Sequence, residues 1–167
     1  DTPIPHRYVH GGFEGTATRF AFSFPTDGSY HGRILQPLEG AHGGHEDAFG
    51  NDLMGETTGG LRPCARPGGC MVESNQGHIG DDLDPLGGDD PTLYGHRASA
   101  ETARLARFVA GQVYGQEPHH SYVWGGSGGG RRSPLCLEYA PDAWDGALPS
   151  VGGGATVVHG SSAKVQG

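Results

Sequence analysis

The 167-residue sequence predicts an α/β domain in which a mostly parallel sheet is flanked by helices. The second half alternates short apolar segments with longer segments of helical periodicity, as parallel strands joined by helices do. A Gly-x-Ser-x-Gly motif at residues 125–129 lies between one such strand and one such helix. The apolar residues also come in blocks, although 32 Gly and 12 Pro approach a low-complexity composition. We therefore expect one ordered domain with long glycine-rich loops.

The first half of the chain predicts three strands joined by loops. Residues 1–17 are polar and rich in glycine, which indicates an N-terminal arm. Residues 18–24 contain three phenylalanines at alternate positions and predict a strand with one apolar face. Residues 33–38 and 71–74 predict two further strands, and the segments 39–69 and 77–93 predict loops.

The second half predicts two helices and two strands, which complete the core segment at 18–151. Residues 95–114 have helical spacing and are followed by the helix-terminating residues Gly115 and Pro118. The segments 121–124 and 144–151 predict strands, and 129–139 predicts a helix. The tail at 152–167 gives no element and is interpreted as a possible cleavage or lid-insertion junction. The apolar stripe of the first helix consists of Ala98, Thr102, Leu105, Phe108, Val109, Gln112 and Val113.

The charge balance excludes two classes of partner. Eleven basic residues face 19 acidic ones, for a net charge of −8, which argues against nucleic acid and against an anionic membrane surface. No apolar run approaches the roughly 20 residues of a membrane span. The sequence starts at Asp1 rather than Met, for which a processed, secreted or periplasmic protein is one explanation and a trimmed sequence is the other.

The three cysteines are interpreted by their spacing. Cys64 and Cys70 bracket a short Gly/Pro loop, and a local disulfide between them is plausible in an oxidising compartment. A zinc site is disfavoured because no second cysteine pair supplies the remaining ligands. Cys136 falls in the second predicted helix and is interpreted as a small buried residue.

Ser127 is the candidate nucleophile. In a nucleophile elbow the serine occupies a strained turn between a strand and a helix, and its neighbours must be small. The glycines around Ser127 meet this need, and the backbone N–H of Gly128 would be one oxyanion-hole donor. A flexible Gly/Ser loop is the alternative interpretation.

Two groups of residues are candidates for metal sites. His42 and His45, followed by Glu46 and Asp47, could coordinate a transition metal. An acidic segment could hold Ca²⁺ through oxygen ligands. Neither matches an established loop spacing, so no metal or cofactor is predicted. The acidic residues of that segment are Asp81, Asp82, Asp84, Asp89 and Asp90.

Three segments in the second half together resemble the tannase and feruloyl esterase family of α/β-hydrolases. They are Tyr-Gly-His-Arg-Ala at 94–98, Ser-Tyr-Val-Trp-Gly-Gly-Ser-Gly-Gly-Gly-Arg at 121–131, and Tyr-Ala-Pro-Asp-Ala-Trp-Asp-Gly at 139–146. The segments 31–36 and 40–44 are similar to the part of the family that carries the oxyanion loop. Ser-Asn-Gln-Gly-His at 74–78 lies where the family has a Gly-His. The resemblance spans roughly residues 18–153.

The resemblance implies roles for the upstream loops. A backbone N–H from Gly40 or Ala41 would join that of Gly128 in the oxyanion hole. His42 and His78 would contact substrate or support the residues that do. The resemblance also implies that Asp145 belongs to a structural Asp-Gly turn and is not the acid of a catalytic triad.

Two departures from the family pattern are visible. The family commonly has a cysteine before the nucleophile, disulfide-linked to a cysteine beside the catalytic histidine, whereas this chain has Gly126 there. In α/β-hydrolases the acid and the histidine follow the serine along the chain, after further strands. No such strands follow residue 151, and His159 in the tail is interpreted as solvated. We therefore expect an incomplete α/β-hydrolase-type sheet.

The sequence thus predicts a serine hydrolase that cleaves small-molecule carboxylic esters through an acyl-enzyme. A second polypeptide, produced by cleavage after residue 151, or a missing C-terminal segment would supply the acid and the histidine. One alternative is an amidase, peptidase or acyltransferase on the same fold. Another is a non-catalytic secreted binding module with a degenerate hydrolase fold.

Overall fold

A computed structural model describes residues 4–46, 61–80 and 90–151. Within these ranges six strands form one mixed sheet, in the order β1-β2-β4-β3-β5-β6. β1 and β2 pair antiparallel, as do β2 and β4, whereas β4, β3, β5 and β6 run parallel. The prediction of a mostly parallel sheet is confirmed. The strands are β1 (His6–Gly12), β2 (Arg19–Pro25), β3 (Arg33–Leu38), β4 (Gly69–Ser74), β5 (His120–Gly126) and β6 (Gly146–Ser150).

In the described part of the chain, three α-helices pack against this sheet. They are α1 (Leu61–Ala65), α2 (Ala98–Tyr114) and α3 (Gly128–Tyr139), and a short π-helical turn, Leu93–Arg97, leads into α2. α2 ends where the sequence predicts, because Gly115 adopts a left-handed conformation with φ of 73°. Its N–H donates to the carbonyl of Gly111 over 2.9 Å, which satisfies one carbonyl at the helix C-terminus. Glycine adopts this conformation without the steric strain that a Cβ would cause.

The helices divide between the two faces of the sheet. Successive side chains of a strand point to opposite faces. On β3, Ile34 packs on the side of α2, and Leu35 packs on the side of α1. α3 lies on the same face as α2, because Val123 of β5 and Cys136 of α3 share a cluster with Ala103 of α2. This face holds the larger part of the described core.

The three phenylalanines of β2 build the centre of that core. Phe20 and Phe22 stack with ring centroids 4.7 Å apart, and Phe22 meets Phe24 edge-on at 5.9 Å. Phe22 and Phe24 are completely buried beneath Ala106 and Ala110 of α2. Burial of each ring stabilises the fold by about 2–3 kcal/mol.

The structure corrects the prediction of an N-terminal arm without regular structure at residues 1–17. Residues 6–12 form strand β1, which pairs along its whole length with β2. The pairing uses backbone groups, and only Val9 and Phe13 in this region pack on the core cluster of β2. The side-chain pattern of β1 is therefore too weak to indicate a strand.

The structure also corrects two details of the helices. The buried face of α2 is formed by small residues, and Phe108, placed in the predicted stripe, is 61% exposed. Small side chains allow the helix axis to approach the sheet closely. The predicted loop at 39–69 contains the short helix α1. The predictions for the tail at 152–167 and for His159 lie outside the described residues. The buried residues of α2 are Ala98, Ser99, Ala100, Thr102, Ala103, Ala106 and Ala110.

Candidate active site

Ser127 occupies a sharp turn between the end of β5 and the start of α3. Its backbone has φ of 50° and ψ of −111°, a conformation that is strained for a residue with a side chain. The Ser127 N–H donates to the carbonyl of Ser150 on β6 over 3.1 Å. Its side chain makes no capping hydrogen bond to the helix, although serine at this position commonly does. The hydroxyl is therefore not used to hold α3 in place.

The glycines around Ser127 are required by close backbone contacts. A Cβ on Gly125 would lie 2.7 Å from the carbonyl oxygen of Leu38, and a Cβ on Gly129 would lie 2.1 Å from that same atom. A Cβ on Gly128 would lie 1.9 Å from the carbonyl oxygen of Ala41. Real Cβ atoms do not approach backbone this closely, so the first turn of α3 fits against the end of β3 only because it lacks side chains. A freely flexible Gly/Ser loop does not explain this packing.

The segment at 40–44 therefore lies directly against the serine turn. It is itself tightly turned: Ala41 has φ of 47°, and the N–H of Gly43 donates to the carbonyl of Gly40 over 3.1 Å. The structure thus brings together Ser127, Gly128, Gly40 and Ala41, the residues that the sequence predicted for the nucleophile and the oxyanion hole.

His78 lies behind this segment, and its partner belongs to the segment itself. Its Nε2 is 2.7 Å from the carbonyl oxygen of His42, and because a carbonyl only accepts, Nε2 carries the donated proton. The His78 ring is 2% exposed and lies 5.4 Å from the ring of Tyr94. The imidazole of His78 is therefore positioned to support the loop. Direct contact of His42 or His78 with substrate stays a prediction.

Arg132 is a buried residue that sequence reasoning missed. Its side chain is 2% exposed, and its guanidinium donates to the carbonyls of Glu39 and Ala41 and to the hydroxyl of Tyr94. The guanidinium carbon also lies 4.6 Å from the centre of the Tyr94 ring. Burial lowers the pKa of Arg132 from its ordinary value. The signal was the helical spacing of four that joins Gly128, Arg132 and Cys136 on one buried face of α3.

Asp145 fixes the end of the segment that leads into β6. Its carboxylate Oδ2 accepts the N–H of Ser121 over 2.7 Å, and its own N–H donates to the carbonyl of Ser121 over 2.7 Å. Two backbone groups of one strand residue are thus satisfied by one aspartate. This arrangement agrees with the structural turn that the resemblance implied for Asp145.

The predicted disulfide between Cys64 and Cys70 is not formed. Both are free thiols, and both are buried. Cys70 faces the α2 side of the sheet, in a cluster with Phe22, whereas Cys64 packs on the opposite side with Met71. Spacing along the chain brought the two cysteines near each other, but alternation along β4 directs the Cys70 side chain away from α1.

Three of the candidate metal ligands, His45, Glu46 and Asp90, have other partners. His45 Nδ1 contacts the carboxylate of Glu39 at 3.1 Å, and His10 Nε2 contacts that of Glu46 at 2.9 Å. Asp90 pairs with Arg97 and Thr92. Across 4–46, 61–80 and 90–151, no group of three or more candidate ligands is assembled. The remaining acidic candidates, Asp47, Asp81, Asp82, Asp84 and Asp89, lie outside the described residues.

Among the described helices, none combines the length and the apolar character that a membrane crossing needs.

A parallel sheet with a strained serine between strand and helix defines an α/β-hydrolase-type domain. The family model "Tannase and feruloyl esterase" matches residues 12–165. The chain belongs to the tannase and feruloyl esterase family, which confirms the resemblance seen in the sequence. The family takes its name from carboxylic ester hydrolases. Comparison with the curated proteins gave no match.

Solved structures show the same fold. Feruloyl esterase B from Aspergillus oryzae is 21% identical with a TM-score of 0.65, over 84% of this chain and 26% of its own. Tannin acyl hydrolase from Aspergillus niger is 19% identical with a TM-score of 0.64, over 86% and 27%. Brefeldin A esterase, a bacterial protein, is 16% identical with a TM-score of 0.54, over 90% and 40%. This chain thus spans about a quarter of the length of the two fungal enzymes.

Proposed function

We propose that this protein hydrolyses carboxylic esters of small molecules through an acyl-enzyme formed on Ser127. The observation that carries the proposal is the strained Ser127 turn, packed without side chains against the loop at 40–44. A serine that neither caps its helix nor relaxes its backbone indicates a functional constraint. Membership of a family of ester hydrolases supports the same reaction.

In the proposed reaction, Ser127 Oγ attacks the ester carbonyl while a base removes its proton. The tetrahedral intermediate collapses, the alcohol leaves with that proton, and the acyl group stays on Ser127. A water molecule then attacks the acyl-enzyme, and the carboxylic acid is released as Ser127 regains its proton.

The negative charge of the intermediate would be stabilised by the start of α3. Gly128 is the first residue of α3, so its N–H has no acceptor within the helix. The positive end of the helix dipole favours an anion at the same place. A second N–H, from Gly40 or Ala41, would complete the oxyanion hole, and the contact of Ala41 with Gly128 supports this pairing.

We propose that the base and the acid come from outside residues 1–167, on a C-terminal segment or a second polypeptide. Within the described residues no histidine is hydrogen-bonded to Ser127; His78 binds the carbonyl of His42, and His45 binds Glu39. The chain also spans only about a quarter of the length of the fungal structures. The secreted or periplasmic location stays a prediction.

Pre-steady-state kinetics test this proposal. The natural full-length protein and its Ser127→Ala variant are each mixed with a p-nitrophenyl ester. The release of nitrophenol is followed over time in both. We expect a burst equal to the concentration of active sites, followed by steady turnover, and neither in the variant. Equal turnover by Ser127→Ala would refute the proposal. Faster cleavage of the matching anilide than of the ester would favour the amidase alternative.

A further inference from the structure

In the loop beside Ser127, the four carbonyl groups from residue 39 to residue 42 are all engaged by partners. Arg132 donates to the carbonyls of Glu39 and Ala41, and His78 donates to that of His42. The carbonyl of Gly40 accepts the N–H of Gly43. Four consecutive peptide groups, from 39 to 42, therefore have their oxygen atoms fixed by hydrogen bonds.

Fixing a carbonyl also fixes the neighbouring N–H. The peptide bond is planar and trans, so the N–H of each residue points opposite to the carbonyl of the residue before it. By binding the carbonyls of Glu39 and Ala41, Arg132 sets the directions of the N–H groups of Gly40 and His42. An oxyanion hole works only when its donors are held in place before the charge develops.

A buried arginine at this position is costly unless something requires it. Arg132 is 2% exposed, and in the described residues its Nε has no hydrogen-bond partner. The groups that stabilise its buried charge are two backbone carbonyls, the hydroxyl of Tyr94 and the face of the Tyr94 ring. A methionine or leucine would fill the same volume without the desolvation cost of a charge. The planar guanidinium, however, reaches two carbonyls of one loop at once, which an apolar side chain cannot do.

We propose that Arg132 is a positioning residue that holds the 39–42 loop in its oxyanion-binding conformation, with Tyr94 orienting its guanidinium. The catalytic consequence of this inference rests on the proposed function. The restraint of the loop by Arg132 does not depend on the proposed function.

The test compares Arg132→Met, Arg132→Lys and the control Arg131→Met in the natural full-length protein. Arg131 is the exposed neighbour of Arg132 on α3, so its replacement changes the charge equally without touching the loop. Two readouts are taken. The first is amide hydrogen exchange of peptides covering 38–44 and, for comparison, 120–126. The second is the split of ester hydrolysis into kcat and KM.

For Arg132→Met we expect at least tenfold faster exchange in 38–44 and unchanged exchange in 120–126. We expect kcat to fall about 100-fold, the effect of losing one oxyanion donor, with KM within about threefold. Arg132→Lys should recover part of kcat, because an ammonium still reaches one carbonyl, and Arg131→Met should match the wild type. If Arg132→Met does not fold, the lysine variant carries the same comparison.

Unchanged exchange in 38–44 would overturn the proposal, as would a loss of activity that Arg131→Met shares. If exchange rises in 38–44 but the wild type shows no ester turnover, the restraint by Arg132 stands and the proposed function fails.

Discussion

The carbonyl oxygen of Ala41 lies against the Cα of Gly128, so closely that a Cβ on Gly128 would be 1.9 Å away. This contact joins the loop after β3 to the first turn of α3. The two parts of the candidate oxyanion hole are thus brought together by backbone packing, and the absence of one methyl group makes it possible.

Replacing Gly128 with alanine tests this contact. The new methyl group would overlap the carbonyl oxygen of Ala41. Because that oxygen belongs to the backbone, the loop or the first turn of α3 must move to make room. We expect ester turnover to fall by about 100-fold, because a misplacement of about 1 Å at a reacting centre has an effect of that size. Gly111→Ala is the control: its nearest contact would be an ordinary 3.7 Å, and alanine in a helix adds up to about 1 kcal/mol of stability. Full activity of Gly128→Ala would contradict the close contact.

The strain at Ser127 predicts that removing the side chain stabilises the fold. Glycine adopts φ of 50° without steric cost, whereas alanine keeps the strain of serine. In urea unfolding, we expect Ser127→Gly to be about 1 kcal/mol more stable than Ser127→Ala. Neither variant should hydrolyse esters. If Ser127→Ala were the more stable of the two, the serine turn would be unstrained.

The buried cysteines predict a loss of stability at alkaline pH. Burial raises the pKa of both Cys70 and Cys136 to about 12, against about 9 for an ordinary thiol. Above pH 9 the unfolded chain releases these protons while the folded protein retains them, so the free energy of unfolding falls as the pH rises towards 12. Burial also raises the pKa of Tyr30 and Tyr114, which steepens the fall above about pH 10.

Urea unfolding at a series of pH values measures how the free energy of unfolding changes with pH. The Cys136→Ala variant should show a shallower decrease.

The free thiols can be counted with a thiol reagent. The reagent should modify none of the three cysteines in the native protein at neutral pH and all three after denaturation without reductant. Only one reactive thiol in the denatured protein would show that Cys64 and Cys70 are disulfide-linked after all.

Asp145 should matter for stability and not for catalysis. Its carboxylate accepts the N–H of Ser121, and hydrogen bonds to a charged group contribute about 1.5–3 kcal/mol. We expect Asp145→Ala to lower the free energy of unfolding by about that amount, with kcat unchanged in the folded fraction. Asp142→Ala, which removes an exposed ion pair with Arg104, should lower it by less than about 1 kcal/mol. A lower kcat at unchanged stability would instead assign Asp145 a role in the reaction.

Local sequence patterns predicted the parts of this fold whose cause is local. The alternation of Phe20, Phe22 and Phe24 indicated β2, and the glycines around Ser127 indicated the serine turn. β1 was missed because it is defined by backbone pairing with β2 and has few buried side chains. The Cys64–Cys70 disulfide was wrongly predicted because only the assembled structure shows that the two thiols lie on opposite sides of the sheet.

The support of the candidate site was also beyond local reasoning. Arg132 and the loop residues that it binds are about ninety positions apart in sequence. The role of Arg132 depends on how the first turn of α3 packs against the end of β3. That packing can be derived only when the order of the strands in the sheet is known. By contrast, the segments 31–36 and 40–44 themselves resemble the family's oxyanion-loop segment, and this resemblance indicated the loop at 40–44.

Covalent labelling of Ser127 tests the central claim most directly. The natural full-length preparation and its Ser127→Ala variant are incubated with a fluorophosphonate probe, and intact mass is followed by peptide mapping. The account predicts one adduct per active site, on Ser127, with loss of ester turnover in proportion to labelling and no adduct in the variant. An unlabelled Ser127 in a preparation that still hydrolyses esters, or an adduct on another residue, would contradict it.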